Sequence, residues 1–253
     1  MKAQFKYAFL AGLYFRGPLF AVIFLMNTVF TLLGFAGVLP FAAQVTAVSL
    51  GGIGIAVMLA GCIIGDIHIG RRLFASSESY LHALTPVPRW KTLFASIVTM
   101  TALDLFTMAF TIFTQVCMSL NLAGENAWLA IGGYLKENPK MISFIIILSL
   151  LLLALYILSL TIIMFSITMN KSVLFKTPAS GFLAFLTACG CFYIASLLQL
   201  LIAPFSYVER YLFMIMITPV SGAAIPFLIA LTFIEAAGLF ILTSKLLERR
   251  INL

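Results

Sequence analysis

Charged residues are scarce in this chain. Its 253 residues include only 15 Lys or Arg and 8 Asp or Glu, or 9%. A water-soluble domain carries about a quarter charged residues. Hydrophobic residues make up 63% of the sequence, and its mean hydropathy is +1.15. Because so little polar surface is available to face water, the composition excludes a soluble enzyme or binding domain and indicates a protein that folds within the lipid bilayer.

The sequence also lacks the motifs of nucleotide, metal and hydrolase sites. It has no G-x-x-x-x-G-K-[ST] segment, and the glycines of Gly51–Gly54 lie within an apolar run with no Lys after them. No H-E-x-x-H motif or Ser, His and Asp set occurs at a common depth. We therefore predict no catalytic residue, no metal and no cofactor in this chain. The cysteines lie in apolar stretches and are interpreted as buried thiols: Cys62, Cys117, Cys189 and Cys191.

Six apolar runs are each long enough to cross a bilayer, whose hydrocarbon core of about 30 Å requires roughly 20 residues. Backbone groups in lipid must be satisfied internally, and the runs lack the alternation of barrel strands, so each run predicts a helix. The fold class is thus an all-α integral membrane protein. The predicted spans are Pro18–Leu39, Val45–Ile67, Leu93–Leu120, Met141–Thr168, Ser180–Ala203 and Ala224–Ser244.

Basic residues are distributed unevenly between the loops. If the N-terminus is inside, twelve of the 15 Lys and Arg residues lie on the inner side and three on the outer side. This bias follows the positive-inside rule, so we predict that both termini are cytoplasmic. It also accounts for the net charge of +7 without a nucleic-acid partner.

Three segments outside the spans are predicted to lie at the membrane surface. Residues 1–17 predict an amphipathic interfacial helix that leads into the first span at Gly17 and Pro18, with a cytoplasmic extension of that span as the alternative. Residues 121–140 form a polar outer loop whose Trp128 and Tyr134 suit an interface.

The third segment, residues 204–223, is too short and too broken to span. It predicts a re-entrant or interfacial element before the last span, with an ordinary loop as the alternative. The residues that define it are Pro204, Glu209, Arg210 and Pro219.

The largest inner loop, residues 68–92, contains the polar stretch RRLFASSESYLHALTPVPRWK. Apolar or small residues recur in it at helical spacing, Ser76 or Ser77 can cap the helix, and Pro86 ends it. This pattern predicts a short amphipathic helix that presents a polar face to a cytoplasmic partner. A helix that merely rests at the interface is the alternative.

In its topology and in this loop the chain resembles the permease subunits of type-2 ABC exporters, a family that includes small bacterial six-span proteins. In that family the loop often runs as Arg-x-x, Glu and then a Leu-Pro-Val-x-Arg turn into the third span. The corresponding stretch here is RRLFASSESYLHALTPVPRWKTLFAS, in which Thr85 and Pro88 depart from the pattern. The ending LLERRINL is also similar to the ends of such permeases.

The resemblance implies a location in a bacterial plasma membrane. It also implies a dimer of permeases, formed with a second copy or a sister chain, in which each half docks a cytoplasmic ATPase that holds ATP and Mg²⁺. The loop helix would be the coupling helix, and the cargo an amphipathic peptide, lantibiotic or lipophilic drug. The implied docking residues are Arg71, Arg72, Glu78, Tyr80, His82 and Arg89.

Two acids are predicted near the middle of spans, Asp104 in the third and Glu235 in the sixth. A charge at this depth costs at least ~2.5 kcal/mol, and we expect no Lys or Arg at the same depth. Two interpretations of these acids remain open: they form hydrogen bonds between helices, or they line a translocation path. The same two interpretations apply to the threonines that follow Asp104 at helical spacing. Those threonines are Thr107, Thr111 and Thr114.

Two other functions remain open. A proton-coupled secondary transporter would use Asp104 and Glu235 as proton sites, although the halves show no convincing inverted repeat. A membrane scaffold that transports nothing is the other alternative.

Overall fold

Helices make up nearly all of the structure, a computed structural model that describes residues 2–74, 88–173, 180–202 and 224–249. These ranges contain seven helices and no strand, as expected for apolar runs in lipid. The helices are α1 (Lys2–Phe35), α2 (Phe41–Phe74), α3 (Arg89–Ala123), α4 (Glu125–Glu137), α5 (Pro139–Val173), α6 (Ser180–Ile202) and α7 (Ala224–Arg249).

Six of these helices, all except α4, are long and apolar enough to cross a membrane. Each contains all or most of one predicted span, so the prediction of a six-span, multi-pass membrane protein is confirmed. Both α1 and α2 have 34 residues. Helices of that length measure about 51 Å, longer than the hydrocarbon core of about 30 Å. Their ends therefore extend beyond the apolar layer.

The first helix runs from Lys2 to Phe35 without a break, and Pro18 lies inside it. The separate interfacial helix predicted for residues 1–17 is therefore not confirmed, and the structure agrees with the alternative of a longer first span. Proline removes one backbone N–H, and spanning helices tolerate this loss because neighbouring groups satisfy the freed carbonyl.

The predicted polar outer loop contains a helix that the sequence analysis did not anticipate. Gly124 separates α3 from α4 with a φ of 95°, a conformation that favours glycine because it has no Cβ. At the other end of α4, the backbone N–H of Asn138 bonds to the carbonyl of Tyr134. A turn at Gly124 therefore precedes this 13-residue helix, and a turn at Asn138 follows it.

The helices group into two units, and the first contains α1, α4 and most of α2 and α3 (Met1–Ile69 and Val98–Asn138). Its apolar packing joins α1 to α2 around Met58 and Cys62, both of which are buried. Aromatic rings join α1 to α3, with centroids 5.9 Å apart for Phe24 and Phe110 and 6.2 Å apart for Phe20 and Phe106.

The second unit contains the end of α2, the start of α3, and helices α5, α6 and α7 (Gly70–Ile97 and Pro139–Leu253). Helix α5 packs along both α7 and α6. Phe94 near the start of α3 contacts Phe240 of α7 edge to face, with centroids 6.5 Å apart. The core residues shared by α5, α6 and α7 are Leu158, Ile162, Ala195 and Ala236.

Candidate functional site

Three charged side chains meet inside the first unit. Arg16 of α1 forms ion pairs with Asp66 of α2 and Asp104 of α3. The Arg16 Nε atom lies 3.1 Å from Oδ1 of Asp104, and Nη2 donates a hydrogen bond to Oδ1 of Asp66. These three residues are only 2%, 1% and 2% exposed, respectively. We call this group the charge cluster.

Glycines on α2 allow the Arg16 side chain to approach closely. A Cβ on Gly65 would lie 2.9 Å from Arg16 Nε and 3.2 Å from Phe15 Cδ1, and a Cβ on Gly61 would collide with Leu19. Small residues let backbones approach in this way, so the GxxxG pair of α2 serves helix packing. Arg16 Nη2 also reaches the carbonyl of Cys62 at 3.4 Å, which fixes the guanidinium against α2.

The charge cluster corrects one prediction. Asp104 was expected to have no Lys or Arg at its depth, and that expectation is wrong because Arg16 pairs with it. The error follows from placing the start of the first span at Pro18, since α1 continues helically back to Lys2 and carries Arg16 into the buried interior. Both Arg16 and Asp66 were missed as site residues. The available signal was an isolated charge within an apolar run, LYFRGPLF and CIIGDIHIG.

The threonines that follow Asp104 on α3 are buried and bond chiefly to their own helix. Thr107 donates to the carbonyl of Asp104 at 3.1 Å, and Thr111 donates to the carbonyl of Thr107 at 2.8 Å. Thr114 donates to the carbonyls of Phe110 and Thr111. Each hydroxyl thus has an acceptor in the preceding turn of its own helix, and this geometry is compatible with both alternatives for the stripe.

Polar contacts also link α3 to the other two helices of the first unit. Asn27 of α1 donates to Oγ1 of Thr114 at 3.3 Å. Gln115 donates to the backbone carbonyl of Val48 on α2 at 2.7 Å. Interhelical hydrogen bonds of this kind contribute about 0.6 kcal/mol each on average in membranes. An interhelical hydrogen bond was one of the two interpretations of Thr114 from the sequence, but its partner Asn27 was not identified.

Glu235 lies in the second unit, on α7. Its Oε2 atom accepts a hydrogen bond of 2.9 Å from Nε2 of Gln199 on α6, and the same nitrogen lies 3.4 Å from Oγ1 of Thr232. Glu235 is partly buried. Asp104 and Glu235 therefore belong to different units, and each has its own polar partners.

The docking residues implied by the resemblance fall at the ends of two helices. Arg71 and Arg72 lie exposed in the last turn of α2, and Arg89 is the first residue of α3. Glu78, Tyr80 and His82 lie outside the described residues, as do most of the predicted coupling helix and the four residues that define the predicted element at 204–223. Those four are Pro204, Glu209, Arg210 and Pro219.

Across the described residues, no group of three or more His, Cys, Asp or Glu side chains is arranged to hold a metal ion. The charge cluster consists of two carboxylates and one guanidinium, whose ion pairs link α1, α2 and α3. Comparison with known proteins finds no matching family model, no matching curated protein and no matching solved structure.

Proposed function

We propose that this chain is the membrane-spanning permease subunit of an ATP-driven exporter of amphipathic or lipophilic cargo. It docks a separate cytoplasmic ATPase through the loop between α2 and α3 and works as a pair of permease chains. The observation that carries the proposal is the conjunction of six apolar helices with a polar loop of coupling-helix pattern between the second and third.

The helices that flank this loop support a mechanical role. Both α2 and α3 extend past the apolar layer and bring Arg71 and Arg89 to the two ends of the loop. A Cβ on Gly70 would lie 2.9 Å from Ile167 Cδ1 of α5, and Phe94 packs on Phe240 of α7. A push on the loop would thus be transmitted by tightly packed contacts to α5 and α7, because packed interiors shift as units.

The charge cluster suits a conformational role within the same proposal. It joins the three long helices α1, α2 and α3 through one guanidinium, so motion of α2 or α3 must preserve or break an ion pair. Removing one partner of a buried ion pair destabilises a protein by about 3–5 kcal/mol. In our proposal the cluster stabilises the closed state of the translocation path.

A pull-down experiment tests the docking role. The tagged chain, purified in mild detergent from its own host, is expected to retain an ATPase that carries a P-loop. Replacing Glu78→Lys and Arg89→Glu together should abolish retention of this ATPase, because both changes reverse charge at the proposed docking surface. Lys136→Glu is the matched control, since it reverses an exposed charge on α4, which is predicted to lie on the outer side of the membrane. Retention unchanged by the double variant contradicts the proposal.

Substitution of Asp104 tests the role in transport. Asp104→Asn leaves the Arg16–Asp66 pair in place, so we expect the protein to fold and to retain its ATPase while cargo-stimulated ATP hydrolysis changes by several-fold. Asp104→Leu removes the polar group altogether. A well-folded Asp104→Leu protein with full cargo-stimulated activity would show that the cluster has no part in transport.

A proton-coupled secondary transporter is the second candidate, favoured by the acids buried or half-buried within spans, Asp104 and Glu235. It predicts cargo movement in proteoliposomes driven by a pH gradient, with no ATPase and no nucleotide. Such movement, abolished by Asp104→Asn or Glu235→Gln, would replace the exporter proposal.

A further inference from the structure

A groove of about 720 Å³ runs between α1 and α3 within the first unit. Pockets of about 300–1,000 Å³ commonly hold small ligands. Apolar side chains supply most of the lining, and Gly12 and Gly17 contribute no side chain to it. The lining residues used below are Lys6, Gly12, Arg16, Ala102, Leu103 and Phe106.

The charges along this groove are of one sign. Among the described residues, Lys6 and Arg16 line it and no Asp or Glu does. Lys6 is exposed near the beginning of α1, whereas Arg16 is buried deeper along the helix. The groove therefore has a cation at its entrance and an apolar interior, which complements a molecule with an anionic head and an apolar tail.

The guanidinium of Arg16 has an unused donor. Its Nη1 atom is buried and has no hydrogen-bond partner among the described residues. Nη1 lies beside Gly12, one helical turn before Arg16. A Cβ built on Gly12 would be 3.5 Å from Arg16 Nη1 and 2.6 Å from Leu103 Cδ1. A buried donor without an acceptor destabilises the protein, so a ligand oxygen that accepts from Nη1 would be bound favourably. Because Nη1 is buried, the Leu103 side chain must turn aside before an oxygen can reach it.

The position of Arg16 Nη1 along α1 suits a second polar group of a ligand whose anionic head lies at Lys6. Gly12 is six residues after Lys6 on α1, which corresponds to about 9 Å along the helix axis. A diacyl phospholipid carries its phosphate and its ester carbonyls within a comparable distance, followed by long apolar chains. Asp66 and Asp104 already balance Arg16, so a neutral carbonyl suits Nη1 better than a second anion.

The geometry points to a binding site for one anionic diacyl phospholipid from the leaflet in which α1 begins. Lys6 binds the phosphate, Arg16 Nη1 donates to an ester carbonyl, and an acyl chain lies along Gly12, Leu103 and Phe106. The lipid fills the gap between α1 and α3 beside the charge cluster. This inference does not depend on the exporter proposal.

Native mass spectrometry of the purified full chain tests the lipid site. Diester phosphatidylglycerol, diester phosphatidylcholine and diether phosphatidylglycerol are added in parallel. A Lys near an anionic lipid contributes about 1 kcal/mol, so diester phosphatidylglycerol should bind about fivefold more tightly than phosphatidylcholine, and Lys6→Gln should remove the difference. The diether lipid lacks the ester carbonyls and should bind about tenfold more weakly than the diester lipid.

Matched variants distinguish this groove from the rest of the lipid-facing surface. Ala102→Trp fills the groove and should abolish the tight binding, whereas Ala56→Trp adds the same ring at an exposed position of α2 outside the groove. Lys245→Gln removes an exposed Lys from α7 and should change nothing. Equal binding of the three lipids, or equal effects of Ala102→Trp and Ala56→Trp, overturns the inference. Displacement of the lipid by an amphipathic peptide at equal concentration would assign the groove to cargo instead.

Discussion

Arg16 links three helices of the first unit. It is the cation of the charge cluster, and from α1 it forms ion pairs with Asp66 of α2 and Asp104 of α3. Burying a carboxylate is tolerable only when a counter-charge and hydrogen bonds compensate for lost hydration. A change at this one position therefore affects three helices.

We expect Arg16→Leu to lower the free energy of unfolding by about 3–5 kcal/mol, because it leaves both aspartates buried without the guanidinium. The measurement is denaturation of the purified protein in mixed micelles. Arg16→Lys keeps the charge but cannot reach both carboxylates with a planar fork, so its loss should be intermediate. An Arg16→Leu protein as stable as wild type would show that the cluster contributes nothing to folding.

Two adjacent glycines of α2 provide a second test at the residue scale. A Cβ on Gly51 would collide with Gln115 Oε1 and lie 2.9 Å from Met118 Cε, whereas a Cβ on Gly52 meets nothing within 4 Å. Gly51→Ala would displace Gln115 from the Val48 carbonyl, so we expect a loss of about 0.5–1.5 kcal/mol. Gly52→Ala should be neutral or slightly stabilising, since alanine favours helix. Equal effects in the same denaturation assay would contradict the packing of α2 on α3.

At the scale of elements, hydropathy located the spans but not the full length of the helices that contain them. The predicted third span, Leu93–Leu120, lies inside α3, which begins at Arg89 and ends at Ala123. The apolar run ends where the hydrocarbon ends, but backbone hydrogen bonds continue into polar turns that hydropathy does not register. The same effect hid Arg16, because the residues before Pro18 are helical without being uniformly apolar.

Helix α4 was missed for a different physical reason. Its 13 residues are too few to span, and Gly132 and Gly133 inside it lower its intrinsic helix propensity. Only the aromatic residues gave a signal, and they indicated an interface. The structure exposes Leu129, Ile131 and Tyr134 on this helix, by 77%, 43% and 54%, respectively. Apolar and aromatic residues exposed on a short helix suit the boundary between headgroups and acyl chains.

We predict that α4 lies at the membrane interface. The chain has two tryptophans, so Trp90→Phe leaves Trp128 as the only one. Its fluorescence should be quenched strongly by lipids brominated near the headgroup and weakly by lipids brominated at the chain end. The reverse variant, Trp128→Phe, reports Trp90 at the start of α3 and calibrates the assay. Quenching of Trp128 by an aqueous quencher alone would place α4 in water.

At the scale of the whole molecule, the sequence predicted the number of spans better than the association of the helices. Charge bias and hydropathy are properties of single segments, so they predicted six spans and an orientation. The division into two units depends on side chains that meet from distant segments, such as Phe94 with Phe240 and Arg16 with Asp66. No periodicity within one segment encodes such pairings, which is why the charge cluster emerged only from the structure.

Orientation is the property of the whole chain that the basic residues predict most directly. With both termini inside, the end of α7 is cytoplasmic and α4 lies outside, because eleven of the 15 Lys and Arg residues then lie on the inner side and three on the outer side, while Arg16 is buried among the spans. Lys136 and Lys245 are both exposed and serve as reporters when each is changed to Cys in a chain whose four native cysteines are replaced by Ala. A membrane-impermeant maleimide should label position 136 in intact cells and position 245 only after permeabilisation. The cysteine-free chain controls for background labelling. Labelling of position 245 but not 136 in intact cells would invert the topology, and it would place the loop between α2 and α3 on the outer side, beyond the reach of any cytoplasmic ATPase.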